Sequence, residues 1–222
     1  MKKKILFVVS STNVIGPKKR RVGNLLPEVA HPYEVFKKEG YDIDVYSVKG
    51  GEAPIEMVEP EDPVNQAFLK GEGPEKFKNS GKIEDVTTDK YDAVFVPGGL
   101  APLADLPDNP TVQKILSTMY DNGKVVSAVC HGPVCLINVK LNDGSYLVNG
   151  KKVTGFSITE EFDYAREDVP FELENALKER GADYSCITPW KAYSITDGRL
   201  VTGQNPASAQ GVAQRVVTIL EG

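Results

Sequence analysis

The runs Ile5-Leu6-Phe7-Val8-Val9, Ala93-Val94-Phe95-Val96 and Val125-Val126-Ser127-Ala128-Val129 are almost wholly apolar and show no polar face. A strand with one side in water alternates apolar and polar residues, whereas a run without alternation has to be covered on both sides. That requirement points to an α/β fold with a mainly parallel sheet and helices on both faces. The intervening sequence supplies the helices. A helical pattern over about 27–39 stops at Gly40, and Asn109 followed by Pro110 marks the cap and first turn of another, which runs to about Asn122-Gly123. Residues 41–48 alternate as a second strand does and end at Gly50-Gly51. Residues 52–90 are polar, with helix-like pieces over 64–69 and 74–79, and read as an excursion from the sheet. Further on, residues 193–196 and 199–202 flank Asp197-Gly198, a two-residue hairpin signal, and a last helix covers about 207–220. No repeat, low-complexity tract or linker interrupts the pattern, so residues 1–222 are expected to form a single domain.

Composition narrows the partners. A net charge of -5 argues against nucleic acid and anionic membranes, which attract clustered positive charge. The basic run Lys18-Lys19-Arg20-Arg21 lies beside Gly16-Pro17 and Gly23 and reads as a solvated loop. The lysines at the start, followed by residues 5–9, imitate a secretory signal, but the apolar run stops short of the roughly 7–15 residues a signal core needs. No stretch approaches the roughly 18 apolar residues of a membrane span. Three cysteines without metal-type spacing and only two histidines argue against a disulfide scaffold, a metal site or a bound cofactor, and favour a reducing, cytoplasmic setting.

The most informative residues follow the run Val125–Val129. In Ala128-Val129-Cys130-His131-Gly132-Pro133, small residues stand two before and two after a cysteine, as in a nucleophile elbow between a strand and a helix. Such a turn lifts the side chain above the carboxyl edge of the sheet. The adjoining helix N-terminus is expected to favour thiolate, and Pro133 is tolerated in a first turn. A free cysteine is more often a small buried core residue, and Cys135 and Cys186 are read that way. Adjacency alone does not place the His131 side chain, but its backbone N–H is the one expected to face an oxyanion formed at Cys130. Pro97-Gly98-Gly99 ends another strand, where glycines let backbone amides come close to a ligand.

Tyr91-Asp92-Ala93-Val94-Phe95-Val96-Pro97-Gly98-Gly99, taken with the segment around Cys130, resembles the ThiJ/PfpI superfamily, whose fold is flavodoxin-like, of the class I glutamine-amidotransferase type. Three further stretches resemble the branch that holds glutathione-independent glyoxalase III enzymes and related holding chaperones. They are Pro27-Glu28-Val29-Ala30-His31-Pro32, Val153-Thr154-Gly155-Phe156-Ser157-Ile158-Thr159-Glu160-Glu161, and the segment from Ser194 to Ser208. The resemblance implies Cys130 as nucleophile, His131 as its neighbouring histidine and Glu161 as the acid that completes a Cys-His-Glu triad. It implies Glu28 as a carboxyl approaching the cysteine from the first helix, with Gly98, Gly99 and the His131 backbone in oxyanion and substrate binding. Glu161 is chosen over Glu160 by counting along the motif from Thr154-Gly155-Phe156. Pro32 cannot donate to the Glu28 carbonyl, so an irregular helix start is expected, and His31 is read as structural. One departure is Leu100-Ala101 after the glycine pair, where many glyoxalase-like relatives carry histidine and glycine. A polar group is therefore expected to be missing from the pocket rim.

The expected activity is conversion of methylglyoxal, a small 2-oxoaldehyde, to lactate through a cysteine hemithioacetal. A triad of this type also permits amidase, peptidase or deglycase chemistry, and an exposed reactive cysteine permits a redox-sensing or holding-chaperone role. The resemblance brings with it unfolded-protein clients and a homodimer as expected partners.

Overall fold

Each continuous apolar run is a buried strand in the computed structural model, which describes residues 2–222. Strands β1 (Lys4–Val9), β2 (Asp42–Ser47), β3 (Gly81–Lys82), β4 (Ala93–Val96), β5 (Val125–Val129), β6 (Ser194–Asp197) and β7 (Leu200–Gly203) form one sheet. Their order is β6-β7-β5-β4-β1-β2-β3. All neighbours are parallel except β6 and β7, the hairpin that turns at Gly198. Around the sheet lie α1 (Leu26–Lys38), α2 (Pro63–Lys70), α3 (Gly73–Lys78), α4 (Pro110–Asp121), α5 (Ile158–Tyr164), α6 (Leu173–Glu179) and α7 (Ala209–Glu221).

The order of the strands decides where a site can form. From β1 the chain steps through α1 to β2 on one side, and from β4 through α4 to β5 on the other. Right-handed crossovers stepping in opposite directions put their helices on opposite faces, so α1 and α4 cover different sides of the sheet. The reversal opens a crevice at the carboxyl ends of the central strands. On the α1 face, Phe7 meets the rings of Tyr33, Phe36, Phe77 and Phe95 at centroid distances of 5.1 to 6.4 Å. Burying each such ring contributes roughly 1.5–3 kcal/mol, which makes this cluster the anchor of α1.

Several expectations need correction. Residues 52–90 are not wholly off the sheet, because Gly81–Lys82 pairs with β2 as its edge strand, too short to leave a pattern in the sequence. Helix α1 starts at Leu26 and continues through Pro32 without a break, held across the missing N–H by the buried Val29, Ala30, Tyr33 and Phe36. The segment after Cys130 is a 3-10 turn, Gly132–Leu136, rather than an α-helix; Gly132 lies so close beneath the Val96 carbonyl that the chain has to turn tightly. Arg20 is not a solvated loop residue, since it pairs with Asp168 at 3.3 Å and lies over the Tyr164 ring at 4.9 Å. Cys135 is buried as expected, but Cys186 is exposed, on a loop outside the packed layers. Among the described residues no helix is long and apolar enough to cross a membrane, and no cluster of His, Cys, Asp and Glu could hold a metal ion.

A Cβ at Gly132 would sit 2.4 Å from the Val96 carbonyl oxygen, whereas one at Gly123 (φ 69°) meets nothing within 4 Å. Gly132→Ala is therefore expected to cost about 2 kcal/mol or more in urea unfolding, and Gly123→Ala only the left-handed backbone penalty of about 1 kcal/mol.

Candidate active site

Strand β5 ends in a turn that its own residue resists. Cys130 has φ 61°, in the left-handed region, which costs a non-glycine residue roughly 1–2 kcal/mol. The surroundings hold it there. Its N–H donates to the Gly203 carbonyl at 2.9 Å, and its carbonyl accepts from the Phe156 N–H at 2.8 Å. Glycine is also required nearby, since a Cβ at Gly98 would lie 2.5 Å from Glu28 Oε2 and 2.8 Å from the His131 nitrogen. The elbow thus brings the strand ends of β4 and β5 into backbone contact beneath the sulfur.

His131 is fully buried, and its ring reaches both ways along the triad. Nδ1 lies 3.5 Å from Cys130 Sγ, and Nε2 lies 2.6 Å from Glu161 Oε2. A proton on Nε2, donated to the carboxylate, leaves Nδ1 as an acceptor facing the thiol. Phe156 packs on the imidazole with centroids 4.3 Å apart.

The two adjacent glutamates of α5 have different work. Glu160 closes a capping box with Ser157, and its carboxylate also accepts from the Trp190 N–H and from the Gln204 and Asn205 side-chain amides. Glu161 has His131 alone, and its Oε1 is buried without a partner.

Glu28, in the first turn of α1, is fully buried and accepts from the Gly98 N–H at 2.7 Å. That bond corrects one expectation: the Gly98 N–H is committed to Glu28 and is not free for an oxyanion. The N–H groups of Gly99 and His131 do face the sulfur. Gly99 has φ 83°, and a Cβ there would fall 2.3 Å from the Gly23 carbonyl oxygen. Leu100 and Ala101 are completely buried and lie off the cavity, so they neither remove nor add a polar group at its rim.

Above Cys130 opens a cavity of about 460 Å³. Phe156, Tyr164 and Trp190 form one wall, and Leu25, Pro27 and Val58 contribute apolar surface elsewhere. His31, expected to be structural, lines the cavity as well, its Nε2 3.1 Å from Asp62 Oδ1. Tyr164 and Trp190 carry no motif that sequence reasoning could have used. Their place beside His131 comes from tertiary packing.

Residues 26–219 match the DJ-1/PfpI family. The chain belongs to that family. It is similar to Glyoxalase 3 of Candida albicans, 35% identical with 100% of this chain and 99% of that protein covered. It is also similar to the glutathione-independent glyoxalase HSP31 of Saccharomyces cerevisiae, 34% identical with 99% and 98% covered. Among solved structures, Rapid Encystment Protein 24 kDa of Francisella tularensis superposes with a TM-score of 0.93 at 37% identity, covering 98% of this chain and 99% of that one. Glyoxalase III of Candida albicans superposes with a TM-score of 0.89 at 32% identity, covering 98% and 97%.

In this DJ-1/PfpI chain the elbow does not by itself produce a thiolate. Burial pushes the Cys130 thiol well up, the charge of Glu28 adds to the shift, and the N–H groups of Gly99 and His131 oppose it. Burial likewise pushes Glu28 up to about 8, against the pull of its hydrogen bonds with Cys130 and Gly98. Two acids in buried contact cannot both ionise, so near neutral pH the pair carries at most one negative charge. The expected thiolate stabilisation by a helix N-terminus is outweighed, because a single 3-10 turn has little dipole and the sulfur is buried.

Glu28 retains its proton in the folded state up to about pH 8, while in the unfolded chain it releases it near its ordinary value. The contribution of Glu28 to stability is then full below about pH 4.5 and declines as pH rises towards 8. Glu28→Gln should remove this slope, gaining on the order of a few kcal/mol relative to wild type between pH 5 and 8 in denaturant titrations. Parallel pH profiles would show that Glu28 is ionised in the folded protein.

Proposed function

We propose that this chain is a glutathione-independent, glyoxalase III-type enzyme that converts a 2-oxoaldehyde such as methylglyoxal to the 2-hydroxy acid. The observation that carries the reading is the unbroken relay from Sγ of Cys130 through His131 to Glu161, with the N–H groups of Gly99 and His131 directed at the sulfur. Similarity to the Candida and Saccharomyces glyoxalases over essentially the whole chain supports it. All three cysteines are free, which fits a reducing compartment such as the cytoplasm.

His131 Nδ1 takes the thiol proton as Sγ adds to the aldehyde carbon, and Glu161 balances the imidazolium that forms. The former carbonyl oxygen lies at the N–H groups of Gly99 and His131 and is protonated to give the hemithioacetal. Removal of the hydrogen on that carbon yields an enediol, and return of a proton to the neighbouring carbon yields the thioester of lactate. The aldehyde carbon is oxidised and the ketone carbon reduced, so no outside oxidant is needed. Water then cleaves the thioester, releasing lactate and restoring the thiol. Glu28, coupled to the thiol, carries the proton between the two carbons in its ionised form, whose share grows as pH approaches 8.

The test is lactate formation from methylglyoxal without glutathione. Wild type should turn over, Cys130→Ser should fall to background, and Glu161→Gln should lower kcat by on the order of 10²-fold or more. Absence of turnover in wild type with the thiol reduced would reject the reading.

A further inference from the structure

We propose that the cavity selects 2-oxoaldehydes bearing an aromatic substituent over methylglyoxal, with the substituent lying against Trp190. The inference rests on the glyoxalase reading of Cys130 and names the substrate class that the wall above it fits.

Size is the first argument. A cavity of about 460 Å³ falls in the range that encloses a drug-sized ligand, whereas methylglyoxal has only a methyl group beyond its two carbonyls. Bound alone at Cys130, it would leave most of the apolar wall facing water.

The wall itself is the second argument. It begins at the catalytic imidazole, where Phe156 packs 4.3 Å from His131, and continues outward through aromatic pairs. Phe156 meets Tyr164 and Trp190 at 5.6 Å in each case, and Tyr164 meets Trp190 at 6.0 Å. All three contacts are edge-on, at 63°, 70° and 81°, an arrangement that a further ring can extend. Trp190 closes the series and is 48% exposed, so part of its ring has no partner.

Backbone conformation is the third. Trp190 has φ 64°, a strained value for a bulky residue, and its N–H donates at 2.8 Å to Oε1 of the fully buried Glu160. A strained residue persists only where its surroundings over-determine it. The Trp190 backbone is thus held by the same helix turn that carries Glu161, and the indole itself packs against Phe156 and Tyr164. An arylglyoxal would follow the same balanced steps, addition of Sγ, hydrogen shift and hydrolysis by one water, and phenylglyoxal would give mandelate.

The experiment compares kcat/KM for phenylglyoxal and methylglyoxal, reading mandelate and lactate without glutathione. Wild type should favour phenylglyoxal by about tenfold, mainly through KM, and Trp190→Ala should erase most of that preference while Trp190→Phe keeps it. Trp190 is the single tryptophan of the chain, so its emission also reports product binding to Cys130→Ser independently of turnover. Mandelate should saturate the change at a concentration about tenfold lower than lactate. Methylglyoxal turnover with no preference for phenylglyoxal, and equal binding of the two products, would overturn the inference and leave the glyoxalase reading standing. Turnover of neither aldehyde would reject both.

Discussion

The left-handed backbone of Cys130 is the constraint from which the rest of the site follows. A side-chain-bearing residue adopts that conformation at the end of a strand only if neighbouring backbone fixes it, and here Gly203 and Phe156 do so from two sides. The turn aims the sulfur at the N–H groups of Gly99 and His131 and leaves the imidazole within reach of both sulfur and Glu161. Gly98 and Gly132 are part of the same device. Their missing Cβ atoms are the space in which Glu28 and the Val96 carbonyl approach the elbow.

Electrostatically the site is a buried acid pair placed beside a histidine–carboxylate pair. Burial raises both Cys130 and Glu28, so the resting site holds protons that chemistry has to move. Beside that acid pair, the His131 ring lies between the Cys130 sulfur and Glu161, within reach of both. Cys130 and His131 are themselves almost wholly buried, with Phe156 packed on the imidazole, which limits the screening of charges that form there.

Glu160 and Glu161, adjacent residues of one type, have entirely different partners. The carboxylate of Glu160 is consumed by donors from Ser157, Trp190, Gln204 and Asn205, tying the start of α5 to the loop before β6 and the end of β7. That tie holds Glu161 against His131 and Trp190 against the cavity. Counting along the motif chooses between the two glutamates; only the contacts say why the other is needed.

Apolar runs without alternation, the Asn109 cap, the Asp197-Gly198 turn and the cysteine between small residues are local signals, and each specifies its own piece of backbone. From them come the parallel sheet, the positions of α1, α4 and α7, the elbow, and by resemblance the choice of Glu28 and Glu161 as candidate site residues. What lies outside local pattern came only with the tertiary structure. The edge pairing of Gly81–Lys82, the commitment of the Gly98 N–H to Glu28, the withdrawal of Leu100 from the cavity and the wall of Tyr164 and Trp190 all join residues far apart in the chain. Sequence alone determined which groups could react. Packing decided their protonation and what they face, because burial and contact set the energy of a charge and the shape of a cavity, and neither is a property of a segment by itself.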